Sequence, residues 1–389
     1  MMARTVAILG AGAGGLVTAL HLRRLLPDAD RIVIVDRGFE TTLGLSLLWV
    51  LRGWRRREDV QVTAAPSSLP GVEMVRGEVL AIDPGRRTVE TSAENISYDA
   101  LVVALGSDLD AGATPGFADA LGDGLAHEFY TLDGAEALRR RLRHLDGGRV
   151  VIAIAGVPFK CPAAPFEAAM LAADALRAGD TRRTVQVDTF TPDPLPMPVA
   201  GPAVGEGLVA MLKEKEIGFF PNQAVSSVEP GRRELCLADG RREGYDVLAL
   251  VPRHRPPRVV ADLGLSEAGW IPVDPATLAT KLDGVWALGD VTALTLPNGK
   301  PLPKAAVFAE GEAEVVATGV ARFLGHPAPE LRFDGSGSCY IEIGDHMAAK
   351  GEGYFFESPT PAVTLYEPST AFHDEKRVQE ADWLRRWAG

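Results

Sequence analysis

Apolar residues along this chain fall in short unbroken runs, and most runs are followed by a segment of helical period. "RTVAIL" (4–9) predicts a buried parallel strand, "LVTALHLRRLL" (16–26) an amphipathic helix and "RIVIVD" (31–36) a second strand. The order recurs further on. A strand at 149–155 precedes a helix over 165–178, a strand at 184–190 and a helix over 203–216, and a hairpin around "LADGRREG" leads to a strand at 246–251. Between these units lie a stretch mixing helical apolar spacing with basic residues (43–60), hairpin-like segments (71–98) and the buried strand of "DALVVALGS" (99–107). A short strand over 285–290 and a long helix over 305–325 follow, and "TPDPLPMPVAGP" reads as an ordered loop. Apolar strands alternating with helices imply parallel sheets covered on both faces.

The turn after the first strand gives this pattern a purpose. Gly10, Gly12 and Gly15 form G-x-G-x-x-G between strand and helix, with Gly14 inside it. The first glycine permits the turn, the second lets a pyrophosphate approach the backbone, and the third lets helix and strand pack closely. The helix N-terminus supplies N–H groups and positive dipole to phosphates. Asp36 ends the second strand at the distance that ribose recognition requires, with Arg37 beside it. An acid there disfavours a 2′-phosphate but does not separate FAD from NAD. The fold class is therefore α/β, with two Rossmann-like dinucleotide-binding domains and a small C-terminal α+β domain. The expected division is 1–115 with 265–325, then 116–264, then 326–389.

Composition adds exclusions. The 389 residues are 46% hydrophobic and 24% charged, ordinary values for a soluble globular protein. A net charge of −12 argues against nucleic acid and against purely electrostatic docking on anionic lipid. No run approaches the ~18 apolar residues of a spanning helix. The N-terminus enters a strand at once, which leaves no room for a secretory leader and points to the cytoplasm. Three cysteines are too few for a disulfide scaffold, and they and the seven histidines have no metal-ligand spacing, so no metal is expected.

Two later segments, "YDALVVALGS" (98–107) and "LDGVWALGDVTAL" (282–294), resemble the motifs that close the FAD site in pyridine nucleotide–disulfide oxidoreductase-like flavoproteins. The resemblance covers nearly the whole chain. It implies FAD as cofactor, with Ala104, Gly106, Gly289 and Asp290 at the site and Asp290 on the ribityl chain. In NAD(P)H-using members the turn after the 149–155 strand has its own glycine triplet. Here it reads "GVPFKCPAAP": Pro158, Pro162 and Pro165 remove N–H donors, and Phe159 and Lys160 obstruct close approach. The second unit is thus expected to keep its frame and to have lost its nicotinamide ligand.

That turn gains Cys161. "PFKCPAAPFE" is similar to a segment of the sulfide:quinone oxidoreductases and of the flavoprotein subunit of flavocytochrome c sulfide dehydrogenase, in which a cysteine lies over the flavin and pairs with a second one near the C-terminus. The resemblance implies Cys339, in "GSGSCYIEIGD", as that partner. The segments at 43–60 and 302–313 also look like that branch's flavin-side elements. A thiolate is the nucleophile, and a helix N-terminus and a nearby cation lower its pKa. Cys161, just before a predicted helix and beside Lys160, fits that description. The implied activity is FAD-dependent oxidation of sulfide, or a related thiol or persulfide, to sulfane sulfur. The acceptor is a quinone or a c-type cytochrome on another chain, quinone being preferred. A type II NADH:quinone reductase and a non-turnover flavin redox sensor are the competing readings. The branch's quinone reductases often carry a third cysteine; here "HEFYTLDGAEAL" (127–138) has none.

Lesser candidates complete the reading. Glu167, in the first helical turn, would move a proton to or from sulfur if burial raises its pKa. Lys304 would stabilise negative charge at the flavin's pyrimidine edge. Cys236 reads as strand packing and His346 as a loop or core histidine. Trp383, Leu384 and Trp387 share a helical face. Docking of that face on the protein itself or on a dimer mate is preferred to peripheral contact with a cytoplasmic membrane.

Overall fold

The computed structural model describes residues 3–266 and 268–388. Two parallel sheets organise it. The first has five strands in the order Val285–Ala287, Ala100–Val103, Thr5–Leu9, Arg31–Asp36, Glu73–Arg76. The second has four, Gly218–Phe220, Val185–Phe190, Gly148–Ile154, Val247–Val251. The central strands of the first sheet and the strand Gly148–Ile154 of the second are runs of Val, Ile, Leu and Ala buried on both faces, as a sheet covered by helices on each side requires. The helix Ala13–Leu25 leaves the first strand's turn and packs along the helix Ala306–Phe323.

The helices Ala164–Ala178 and Pro202–Glu214 and the flanking strands lie within two residues of the expected spans. Three regions differ. Of the hairpin-like stretch 71–98, Glu73–Arg76 joins the parallel sheet, and only Val79–Asp83, Thr88–Thr91 and Asn95–Ser97 form an antiparallel meander. The stretch at 285–290 is a strand only to Ala287; Gly289–Val291 is a 3-10 turn. The pattern also missed the helix Leu132–Arg143, whose N-cap Thr131 accepts a hydrogen bond from the Gly134 N–H at 3.0 Å.

The C-terminal piece is an antiparallel sheet of Ser336–Gly344, Met347–Tyr354 and Ala362–Ser369, followed by the helix Thr370–Ala388. That helix buries His373, Lys376, Glu380, Trp383 and Trp387, the spacing of a single face. The face turns inward. Trp387 is fully buried in the main core, its carbonyl accepts from the Ala65 N–H at 3.2 Å, and Leu384 is half-buried. The preferred docking of this face on the protein itself is what the structure shows: both tryptophans belong to its main core. No helix among the described residues is long and apolar enough to cross a membrane.

Trp387 supplies a large buried surface near the end of the chain. We expect Trp387→Ala to cost about 3–5 kcal/mol in denaturant unfolding; a cost under about 1 kcal/mol would mean that the helix does not dock as described.

Candidate active site

The dinucleotide turn fits its expected ligand. A Cβ on Gly12 would meet nothing within 4 Å, so the backbone there is open to a pyrophosphate, whereas a Cβ on Gly15 would lie 1.9 Å from the Gly10 carbonyl oxygen. No side chain caps the helix that starts at Ala13, and its first turn carries no acid, which leaves its N-terminal field to a phosphate. Asp36 is held by three backbone donors: its Oδ2 accepts from Ala11 at 3.0 Å and its Oδ1 from Gly38 at 2.9 Å and Phe39 at 2.8 Å. A carboxylate has about four acceptor sites, so one remains for a ribose hydroxyl. Arg37 is exposed beside it.

The closing segments converge on the same edge. The Ala104 N–H donates to the Leu9 carbonyl at 2.8 Å, and half-buried Gly106 takes a left-handed φ of 66°. The neighbouring Ser107 hydroxyl is buried without a partner. The Gly289 N–H donates to Glu312 Oε2 at 2.6 Å. Lys304 Nζ donates to the backbone carbonyls of Asp290 at 2.6 Å and Thr292 at 3.0 Å, and sits 3.8 Å from the Trp270 ring centre. Burial lowers Lys304 to about 8 and raises Glu312 to about 8. Near neutrality the lysine is thus mostly charged and the carboxyl mostly protonated. Gly10, Gly12, Gly14, Gly15 and Asp36 lie at the C-terminal ends of the first two strands, and Gly289, Asp290 and Lys304 follow the strand Val285–Ala287 of the same sheet.

The turn 156–165 lies against the Lys304 side. The Cys161 N–H donates to the Lys304 carbonyl at 2.7 Å, the Pro158 carbonyl accepts from the His254 N–H at 2.8 Å, and Lys160 forms a β-bridge with Lys304. Cys161 itself takes a left-handed φ of 52°. Its thiol meets Cys339, which the strand Ser336–Gly344 brings in from nearly 180 residues away (~180 by sequence separation, the non-local closure that only tertiary packing supplies). Both are free thiols and both are only half-buried. Cys236 is remote in role: Leu235 and Leu237 are the buried residues of its strand, while Cys236 lies on the opposite face, so the strand is as expected but the packing belongs to its neighbours.

The electrostatics of Cys161 differ from the expectation. Lys160 acts on Glu128 and His254, not on the sulfur. The Cys161 thiol is pushed well up, first by its hydrogen bond to Cys339 and then by burial, while the same bond lowers Cys339. The pair thus shares a proton, and the hydrogen bond favours a single negative charge on the two sulfurs over two. The cation near both sulfurs is Lys376.

Lys376 was not legible as a site residue. It is 1% exposed and donates to Glu167 Oε1 at 2.6 Å, with Glu342 Oε1 at 3.8 Å. Burial raises Glu167, and the lysine opposes that rise. Fully buried Glu342 also accepts from Trp49 Nε1 at 3.0 Å and meets His373 Nδ1 at 3.0 Å. Tyr130 and His254 were missed as well. Their rings meet edge-on with centres 5.0 Å apart, and Tyr130 Oη and His254 Nε2 are buried without partners. Tyr130, close enough to feel charge on Cys161, stands in the segment that has no third cysteine.

Two parallel sheets, a phosphate-ready glycine turn, and a dithiol beside Lys304 define a dinucleotide-dependent oxidoreductase. The sequence matches the pyridine nucleotide-disulphide oxidoreductase family over residues 4–313, and the chain belongs to it. It is an FAD-dependent oxidoreductase. It is 28% identical to the sulfide-quinone reductase of Aquifex aeolicus over 385 residues, covering 92% of this chain and 84% of that one. It is also 26% identical to an alternative NAD(P)H-ubiquinone oxidoreductase of Arabidopsis thaliana, over 91% of this chain and 75% of the relative. The solved sulfide:quinone oxidoreductase of Aquifex aeolicus shares the fold at a TM-score of 0.85 and 24% identity, covering 99% of this chain and 92% of that chain.

We expect Gly15→Ala to purify with little or no FAD, read as the flavin-to-protein absorbance ratio, because its Cβ would collide with the Gly10 carbonyl. Full flavin content in a folded variant would contradict this assignment of the turn.

Proposed function

We propose that this protein oxidises hydrogen sulfide, or a small thiol or persulfide of similar size, to sulfane sulfur and passes the electrons to a quinone. The observation that carries the reading is the meeting of Cys161 and Cys339 at the turn that would otherwise bind a nicotinamide dinucleotide. The likeness to a sulfide-quinone reductase across nearly the whole chain supports it.

Once oxidised, the pair offers a disulfide to hydrosulfide. Attack on one sulfur forms a new S–S bond, breaks the old one and releases the other cysteine as a thiolate; one sulfur is thus held as a persulfide. Lys376 stabilises the leaving thiolate from behind, and Glu167 is the group beside it that takes or returns a proton. FAD, when bound, supplies the two-electron acceptor for this sulfur. Buried Tyr130 and His254, with unpaired polar atoms, orient the small reactant near Cys161.

A cleft of about 720 Å³ supports quinone over a cytochrome as acceptor. It lies across the strand from Cys339: Ser338 and Tyr340, its neighbours on the opposite face, line it with Leu43, Glu310, Val378 and Trp383. Leu43, Val378 and Trp383 offer an apolar contact for a ring-shaped organic molecule, while Asp374, Glu375, Asp382 and Arg386 make much of the remaining wall charged. The turn "GVPFKCPAAP", which lacks a glycine triplet and is pinned by Lys304 and His254, supports loss of NADH as donor.

Anaerobic stopped-flow mixing with hydrosulfide and, separately, with NADH tests this. We expect hydrosulfide to bleach the flavin and NADH to do so poorly. Cys161→Ser and Cys339→Ser should keep FAD and lose hydrosulfide-driven bleaching by roughly three orders of magnitude or more, and Cys236→Ser should behave as wild type. Wild-type sulfide turnover in Cys161→Ser, or rapid bleaching by NADH, would overturn the reading.

A further inference from the structure

Behind the cysteine pair the polar groups do not stop at Lys376. From Glu167 the contacts run to Lys376 Nζ (2.6 Å), to Glu342 Oε1 (3.8 Å), to His373 Nδ1 (3.0 Å), and from His373 Nε2 to His346 Nδ1 (3.3 Å). Glu167, Lys376, Glu342 and His373 are buried; His346 is exposed. The series thus has one end at the sulfurs and the other in solvent. Resting on the sulfur-oxidising reading above, we propose that Glu342, His373 and His346 are the proton outlet of the Cys161–Cys339 pair.

The chemistry needs such an outlet. When hydrosulfide attacks the disulfide, one S–S bond forms, one breaks, a cysteine leaves as thiolate, and the new persulfide gives up its proton as it ionises. The incoming sulfur is oxidised and the leaving sulfur reduced, so the step balances without another oxidant. The proton is released at the half-buried pair, beside Glu167. An ammonium has no lone pair, so Lys376 first gives one of its protons across the 3.8 Å gap to Glu342 and, momentarily neutral, takes the one on Glu167, which restores its charge.

The next two members have the form a relay requires. A neutral imidazole donates at one nitrogen and accepts at the other, and His373 faces a carboxylate on one side and a second imidazole on the other. Burial first, and then the charges of Lys376 and Arg377, lower the pKa of His373 and keep it neutral at rest. Each member is also fixed. Trp49 donates to Glu342 and lies under Lys376 with 5.0 Å from Nζ to its ring centre. Trp54 stacks on His346, ring centres 4.4 Å apart and planes 17° from parallel, and closes edge-on against His373. Tryptophans on both sides leave the imidazoles and carboxylates as the polar route between the sulfurs and this surface.

His346→Ala removes only the exposed end and leaves a slot against Trp54; His373→Gln interrupts the middle. Oxidised holoprotein is mixed anaerobically with sodium hydrosulfide, quenched by an alkylating agent, and the opening of the disulfide is counted by mass spectrometry. We expect both variants to keep FAD and to open the pair about a hundredfold more slowly, near the lower end of what a positioned proton-transfer group contributes. Added imidazole should restore His346→Ala and leave His373→Gln slow. A merely structural role of His346 would not respond to imidazole. A second arm uses dithiothreitol, where protons must travel inward onto the leaving thiolates through the same groups. If wild type resists hydrosulfide but opens with dithiothreitol, the sulfide reading fails and the relay is judged in that arm. Wild-type rates in both variants with the reductant that works, or no response of His346→Ala to imidazole, overturn the relay.

Discussion

The ammonium of Lys376, held between Glu167 and Glu342, is the constraint on which the site depends. An ion taken out of water costs several kcal/mol even after relaxation, so a lysine at 1% exposure exists only because two carboxylates await it. Those carboxylates come from three-dimensional neighbours that are far apart in the chain. Glu167 lies on the helix that follows Cys161, Glu342 on the strand that carries Cys339, and Lys376 on the C-terminal helix. One charge cluster thus ties together the three elements that bring the sulfurs into contact. Removing a single partner would leave an uncompensated buried charge, at a cost of about 3–5 kcal/mol, and would loosen the register of both cysteines.

The same cluster sets the chemistry. The two thiols share a hydrogen bond, and the charge of Lys376 favours the thiolate form of either one. The arrangement differs from a thiol activated by a neighbouring lysine in sequence. Lys160 is adjacent to Cys161 along the chain, yet its charge falls on His254 and Glu128. Adjacency along the chain does not decide the partner: Cys161, in a left-handed conformation, meets Cys339 instead.

Much of this was readable from the residues. Gly10–Gly15 with Asp36, the two parallel sheets and the odd cysteine in "GVPFKCPAAP" carry local signals: short-range periodicity, special backbone geometry and an unusual residue in a familiar frame. Cys339 was reachable only through family resemblance, because nothing in "GSGSCYIEIGD" states its partner. Lys376, Glu342 and His373 were not legible. A charged residue at an inward helical position looks like a solvated one until its partner is known, and here the partners lie up to about 200 residues away, a range at which spacing carries no information. A weaker signal did exist: His373, Lys376 and Glu380 fall on the face of Trp383 and Trp387, and polar residues within such a stripe ask for buried partners.

The central claim is that Cys161 and Cys339 form a redox pair where a nicotinamide site would otherwise be. Non-reducing proteolysis of the oxidised holoprotein, followed by mass spectrometry, tests it directly. The account predicts one cross-linked peptide joining Cys161 to Cys339, with Cys236 free to alkylate. One equivalent of hydrosulfide should replace that peptide by a mass gain of a single sulfur atom on one of the two cysteines. Three alkylated cysteines in the oxidised protein, or a cross-link that includes Cys236, would contradict it.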